Sequence, residues 1–299
     1  MRPAPSVRRI VVATDLSANA RVARRRAERL AHAVGAEVHL VYVTPEPDPA
    51  AALAVLPDEI GDLEALRLLL EAAEQTGERA RGGAIQASFR CRRQPAVGIL
   101  EAAREVEADL IAMGTHGRAG LRRWALGSVA EGVVQAAPCP VIAVREGVEP
   151  APERPRRLLV AADLSARTPP LVAHARALAA LTGAQLDLVH VARPPKPLLL
   201  RDGFRAALPA RAADAEGRLR ALGGDDARCV LLVGDPAREL VRFAGAHHAD
   251  LVLVATDRGG ALGGVTARLL QTAPCPVLSI GASAAQEQTA GRTAVQVAS

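Results

Sequence analysis

Met113-Gly114-Thr115-His116-Gly117, followed after nine more residues by Gly127-Ser128, is the segment of this 299-residue chain best suited to hold an anion. Glycine lets a backbone approach a bound group closely, and a helix N-terminus offers N–H donors with a favourable partial positive charge. Ser128 stands where its hydroxyl either caps the following helix or turns toward a phosphate oxygen. The pattern reads as a phosphate cradle. It is neither the GxxxxGKS/T of a P-loop nor a GxGxxG turn, so the usual NTPase and dinucleotide readings have no motif to rest on. Asp15, in Ala13-Thr14-Asp15-Leu16-Ser17, is a second polar candidate, either a helix cap or a ligand acceptor. His116 reads as an exposed loop residue or a ligand contact. Arg118, Arg122 and Arg123 read as a solvated loop face or as charge that offsets phosphate.

The apolar pattern predicts the elements that position these residues. Residues 9–13 form a short buried strand. Ser17 then caps a helix whose Val22, Ala23, Ala27, Leu30, Ala31 and Val34 recur at helical spacing, with Gly35 ending it. Strands are predicted over 37–43, 88–91, 109–113 and 141–144, and helices over 62–81, 97–107 and 128–136. Such alternation implies a parallel sheet covered on both faces, with ligands at the carboxyl ends of its strands. Asp15 follows the first strand and the glycine loop follows the fourth, so both fall on one rim.

The pattern occurs twice. Asp15-Leu16-Ser17-Ala18 recurs as Asp163-Leu164-Ser165-Ala166, and Val41-Tyr42-Val43 as Val189-His190-Val191. Ala108-Asp109-Leu110 matches Ala249-Asp250-Leu251, and Pro138-Cys139-Pro140-Val141 matches Pro274-Cys275-Pro276-Val277. A period near 140 residues means tandem domains rather than a solenoid. The expected organisation is an α/β fold of two tandem Rossmann-like domains, each an open five-stranded parallel sheet flanked by helices. Domain 1 spans 1–146 and domain 2 spans 157–281. Between them 147–156 is a proline- and charge-rich linker, and 282–299 reads as a disordered tail.

Composition narrows the function classes. Aromatics make up 2% of residues, so the cores must be built from Ala, Val and Leu, and few rings exist to stack bases. Residues 1–149 hold 19 arginines and 19 acids, so the net charge of +5 lies in the second half. Only Lys196 among the 37 basic residues is a lysine, a compositional bias rather than a basic face, and nucleic-acid binding is disfavoured. Arg24-Arg25-Arg26 reads as a solvated helix face. Four cysteines without CxxC spacing and seven histidines that do not cluster, apart from the adjacent pair His247-His248, give no metal site. Without a signal peptide or long apolar span, a cytoplasmic protein with no membrane contact is expected.

Together the Asp15-x-Ser17 turn, Asp109 leading into Met113-Gly114, the Gly-x2-Gly-x9-Gly-Ser run and Pro138-Cys139-Pro140-Val141 resemble the universal stress protein family in its tandem form. The resemblance covers residues 7–145 and 156–281, with the ATP-binding branch represented in domain 1. It implies a HUP-type fold related to the adenine-nucleotide α-hydrolases and a role in stress response. By position, it implies that Ala13, Thr14 and Asp15 contact adenine and that Val43 packs on the base. Met113, Gly114 and Gly117 would bring backbone to ribose and phosphates beside His116 and Arg118, and Gly127, Ser128 and Val129 would close on the phosphates. The implied cofactor is ATP, with Mg²⁺ arriving on the nucleotide. As last strands do across family dimers, 141–144 and 277–280 would pair within the chain as an intramolecular pseudo-dimer, and a homodimer would use other surfaces.

Domain 2 keeps Asp163 and Val191, so its adenine end reads as intact. Its loop does not: Ala255 replaces the first glycine, Asp257 adds negative charge, five residues are missing and Gly264 replaces the serine. A carboxylate near a triphosphate is repulsive. The expected function is regulatory, with ATP in domain 1 altering conformation or contacts with a protein partner. A nucleotide-independent partner-binding module is one alternative. Slow ATP hydrolysis assisted by His116 or Asp15 is another, although no hydrolytic constellation stands in the sequence.

Overall fold

The computed structural model describes residues 7–45, 85–92, 94–115, 126–145, 147–148, 152, 154–193, 202–257 and 262–281. The helix predicted over 62–81 and the tail 282–299 lie outside these residues. Over the described residues the chain divides into two compact units, one from residues 6–153 with 257–262 and the other from 154–256 with the residues after 262.

Domain 1 runs β1 (Arg9–Thr14), α1 (Ala18–Val34), β2 (Glu37–Pro45), β3 (Ile85–Arg92), α2 (Pro95–Glu105), β4 (Leu110–Gly114), α3 (Ser128–Ala136) and β5 (Val141–Val144). Its strands are all parallel, in the order β3-β2-β1-β4-β5. Strands covered on both faces must be apolar at consecutive positions, and Ile10, Val11 and Val12 are all fully buried. Ser17 caps α1 as predicted, its hydroxyl accepting the Ala20 amide, and Gly35 ends the helix at φ 72°. β3 starts at Ile85, three residues before the predicted start, because Val38 of β2 offers it a partner. α2 starts early, at a proline whose missing N–H costs nothing in a first turn, and stops before Glu107, which turns to φ 47°.

Domain 2 repeats the plan with β6 (Arg157–Ala161), α4 (Thr168–Thr182), β7 (Gln185–Ala192), α5 (Asp202–Gly223), β8 (Ala227–Val233), α6 (Pro236–Ala246), β9 (Leu251–Thr256), α7 (Gly264–Thr272) and β10 (Val277–Gly281). The order is β8-β7-β6-β9-β10, again all parallel. The largest fully buried side chains of the two domains, Ile10, Leu40, Leu159 and Leu253 among them, are aliphatic. Cys139 and Cys275 are buried before the last strands, as a small apolar residue would be.

One carboxylate per domain ties the sheet together. Asp109 Oδ2 accepts the Arg8 and Arg9 amides at 2.8 and 3.0 Å, holding the start of β1 beside β4. Asp250 Oδ2 accepts the Arg156 and Arg157 amides at 2.7 and 3.0 Å. The repeated Ala-Asp-Leu therefore has a structural role in both copies.

Arg24 departs from the expected solvated face. It is 7% exposed and ion-paired to the equally buried Glu28 at 3.2 Å, while Arg25 is exposed. The helical pattern placed position 24 between the apolar Ala23 and Ala27, and that inward position prevailed over side-chain polarity.

His39 is buried on β2, with Glu37 Oε2 3.8 Å from its Nε2. Burial holds its pKa below the ordinary histidine value; Glu37 opposes that shift and Arg9 reinforces it. The fold thus prefers the neutral ring, and the unfolded chain takes up the proton first as pH falls below about 6.5. Stability is therefore expected to fall from that point down to the lower folded-state pKa. Urea midpoints measured between about pH 7 and pH 5 should show the decline, and His39→Leu should flatten it.

Candidate functional site

The order of domain 1 reverses at β1, which has β2 on one side and β4 on the other. In open parallel sheets such a switch point opens a crevice at the carboxyl ends of the strands. Asp15 leaves β1 there, and Gly114 and Thr115 leave β4 beside it.

The turn after β1 is over-determined. Thr14 Oγ1 accepts the Leu16 amide and Asp15 Oδ1 accepts the Ser17 amide, both at 3.0 Å. Leu16 itself lies at φ 64°, a left-handed conformation that a leucine adopts at a cost of about 1–3 kcal/mol. Its carbonyl accepts the Arg21 guanidinium at 2.9 Å. Asp15 is therefore a turn-former beside the cap, and the cap itself is Ser17. Domain 2 copies the strain, with Leu164 at φ 56° and its carbonyl taken by Arg218, which comes from α5 rather than the helix after the turn. No sequence signal marks these leucines, because their own type argues against the conformation they adopt.

Gly114 closes the other side. A Cβ there would lie 3.0 Å from Asn19 Cβ and 3.3 Å from the Asn19 backbone carbon. The glycine lets β4 end against the first turn of α1, bringing the two loops together. Thr115, which is buried, then pins the glycine loop at both ends. Its amide donates to Val144 O, and its carbonyl accepts the Gly127 amide, both at 3.0 Å. That residue was missed in the sequence; its recurrence as Thr256 at the same place in domain 2 was the available signal.

α3 begins with Gly127 as its cap, and no side chain caps it. Ser128 is the exposed first helical residue, so of the two roles left open for its hydroxyl the capping one is not found. The Gly127 amide is already engaged by Thr115, and the helical ladder starts with Glu131 donating to Gly127 O. The donors preceding the ladder are thus the amides of Ser128, Val129 and Ala130. A helix end without a side-chain cap suits an anion.

The remaining predicted residues are placed as follows. Ala13 and Met113 are buried, so they can offer a ligand only their backbones. Val43 is partly buried at the end of β2. His116, Gly117 and Arg118, with Arg122 and Arg123, lie outside the described residues.

In domain 2 the turn after β6, expected from the sequence to form an intact adenine end, has its aspartate engaged by its own turn and the helix that follows. Asp163 Oδ1 accepts the Ser165 amide at 3.0 Å, the Ser165 hydroxyl at 2.7 Å and the Thr168 hydroxyl at 2.9 Å, while Oδ2 pairs with Arg167. Burial pushes this carboxyl up, but the Ser165, Thr168 and Arg167 interactions outweigh it and hold it below the ordinary aspartate value. The side chain is retained while its acceptors serve its own turn. The physical reason is local: α4 starts at Thr168 with two prolines following, so Ser165 no longer caps a helix and turns to Asp163 instead. Asp257 is exposed, and α7 starts from Gly263 without a side-chain cap, as α3 does.

A model of the universal stress protein family matches residues 6–145 and 155–280. A universal stress protein of Methanocaldococcus jannaschii is 35% identical over 147 residues, 46% of this chain and 82% of that protein. Another from Thermus aquaticus is 36% identical over 142 residues, 46% of this chain and 97% of that protein. The crystal structure of a universal stress protein from Archaeoglobus fulgidus overlays with a TM-score of 0.64 at 21% identity, covering 92% of this chain and 98% of that one, a likeness of fold. Among the described residues no helix is long and apolar enough to cross a membrane.

Proposed function

Because the chain belongs to the universal stress protein family through both of its domains, we propose that domain 1 binds ATP and that the bound nucleotide governs its contacts with a protein partner in the stress response. The observation that carries this reading is the N-terminus of α3, which no side chain caps and which the Gly127 amide ties to the Thr115 carbonyl at the end of β4, the strand beside β1. The residues present fit an adenine nucleotide. Ser128, Val129 and Ala130 supply amide donors for phosphate oxygens, and Gly114 allows the close approach that a cradle needs. Asp15, held by its turn, accepts from the exocyclic amine, and Val43 gives the base an apolar wall. Gly117, His116 and Arg118 complete the cradle in this proposal, and Mg²⁺ rides in on the nucleotide. Binding and orientation are all that these residues need to do; no hydrolytic step is assigned to them.

Domain 2 is the non-binding partner in this scheme. Its Asp163 is already satisfied by four donors, and a ligand amine would have to displace them without gain. Calorimetric titration of the full chain with MgATP should therefore return one site per chain. Two tight sites would overturn the assignment of domain 2, and no site would overturn the proposal.

A further inference from the structure

Gly98 lies inside α2, where a glycine costs up to about 1 kcal/mol relative to alanine. It is buried, and its place there has a specific cause. A Cβ at position 98 would lie 2.9 Å from Val43 Cγ1, 3.1 Å from Val43 Cγ2 and 3.3 Å from Arg92 Cγ. We infer that Gly98 is a positioning residue of the base site, a notch that receives Val43 and thereby leaves room for the base at the end of β2. This inference rests on the reading that domain 1 binds ATP.

The geometry leaves Val43 no easy retreat. A valine fills two of three staggered positions with methyl groups, and both of its present ones face position 98. Any rotamer therefore keeps at least one methyl in the contact, and valine is in any case stiff at χ1. Arg92 is no freer, since its guanidinium is held by Glu101 at 2.8 Å. A side chain at 98 must move the end of β2 itself, which is where Asp15's neighbour strand meets the crevice. Domain 2 shows the opposite arrangement. The equivalent helix position carries Glu239, and the glycine has moved to the strand end: a Cβ at Gly234 would lie 2.8 Å from Glu239 Cγ. Among the described residues, the notch is thus present at this helix position in domain 1 and absent from it in domain 2.

The test is a double-mutant cycle on the full chain, read by calorimetry with MgATP. Gly98→Ala is expected to weaken ATP binding about tenfold, the size of an overpacking defect transmitted to a contact. In a Val43→Ala background the same change should cost less than about twofold, because the methyls it meets are gone. Melting supplies a further readout: Gly98→Ala should lower the midpoint in the native background and lower it clearly less, or raise it, with Val43→Ala, where the gain in helix propensity is opposed only by the 3.3 Å approach to Arg92 Cγ. Wild-type binding left intact by Gly98→Ala, or an equal loss in both backgrounds, overturns the inference alone. A wild type that binds no ATP overturns the function on which it rests.

Discussion

Ser128→Asp is expected to abolish most ATP binding while making the protein more stable. The two effects have opposite signs because the same helix end sees the carboxylate in two ways. Without ligand, α3 has no side-chain cap, and a negative charge in its first turn meets the partial positive charge of the helix N-terminus. Such a placement stabilises by about 0.3–1 kcal/mol, or about 1–3 °C in a domain of this size. Ser128 is exposed, so the change disturbs no packing. With ligand, that carboxylate stands where phosphate oxygens must come. Two unit charges about 4 Å apart repel by about 1 kcal/mol in water and about 4 kcal/mol at a protein surface. Binding at least about a hundredfold weaker follows, and raised salt should recover part of it. Ser128→Ala, which removes only a hydroxyl, should lose far less. Calorimetry and melting on the same samples give both numbers. A Ser128→Asp protein that binds ATP as the wild type does would remove α3 from the site.

What was legible in the sequence follows from what a residue type can announce. Ser17 and Gly35 at the ends of α1 were readable because cap chemistry is local. The start of α3 at Ser128 was readable too, but which of two roles its hydroxyl takes was not: the Gly127 amide donates to the Thr115 carbonyl, a long-range contact, and Gly127 stands as the cap. Leu16 and Gly98 could not be read at all. Leu16 adopts a conformation that its type disfavours, and Gly98 is only a weak helix former until Val43 is placed against it. Domain 2 teaches the converse. Asp163 is identical to Asp15 in the repeat, yet Pro169 and Pro170 shift the start of the next helix and convert its environment. Identity of a residue did not carry identity of its partners.

The largest stability effects are expected at Asp109 and Asp250, each in its own domain. Each carboxylate oxygen accepts two consecutive backbone amides at the entry of the central strand, β1 or β6. One bond of each pair is exposed, and water can replace it at little cost. The amides of Arg9 and Arg157 are partly buried, and losing a charged acceptor there costs about 1.5–3 kcal/mol. Asp109→Ala and Asp250→Ala should therefore each destabilise by about 2–3 kcal/mol, and the Asn variants, which keep one neutral oxygen, by about half as much. In a tandem protein these losses need not appear in one transition, because each domain buries its own core and can unfold separately. Urea unfolding followed by hydrogen exchange is the suitable measurement. Asp109→Ala should lower protection in β1 and β4 while sparing β6 and β9, and Asp250→Ala should do the reverse. A variant that weakens both domains equally would mean that they fold as one unit. A variant that weakens neither would mean that the starts of β1 and β6 are held by their strand pairing alone, with the aspartates as bystanders.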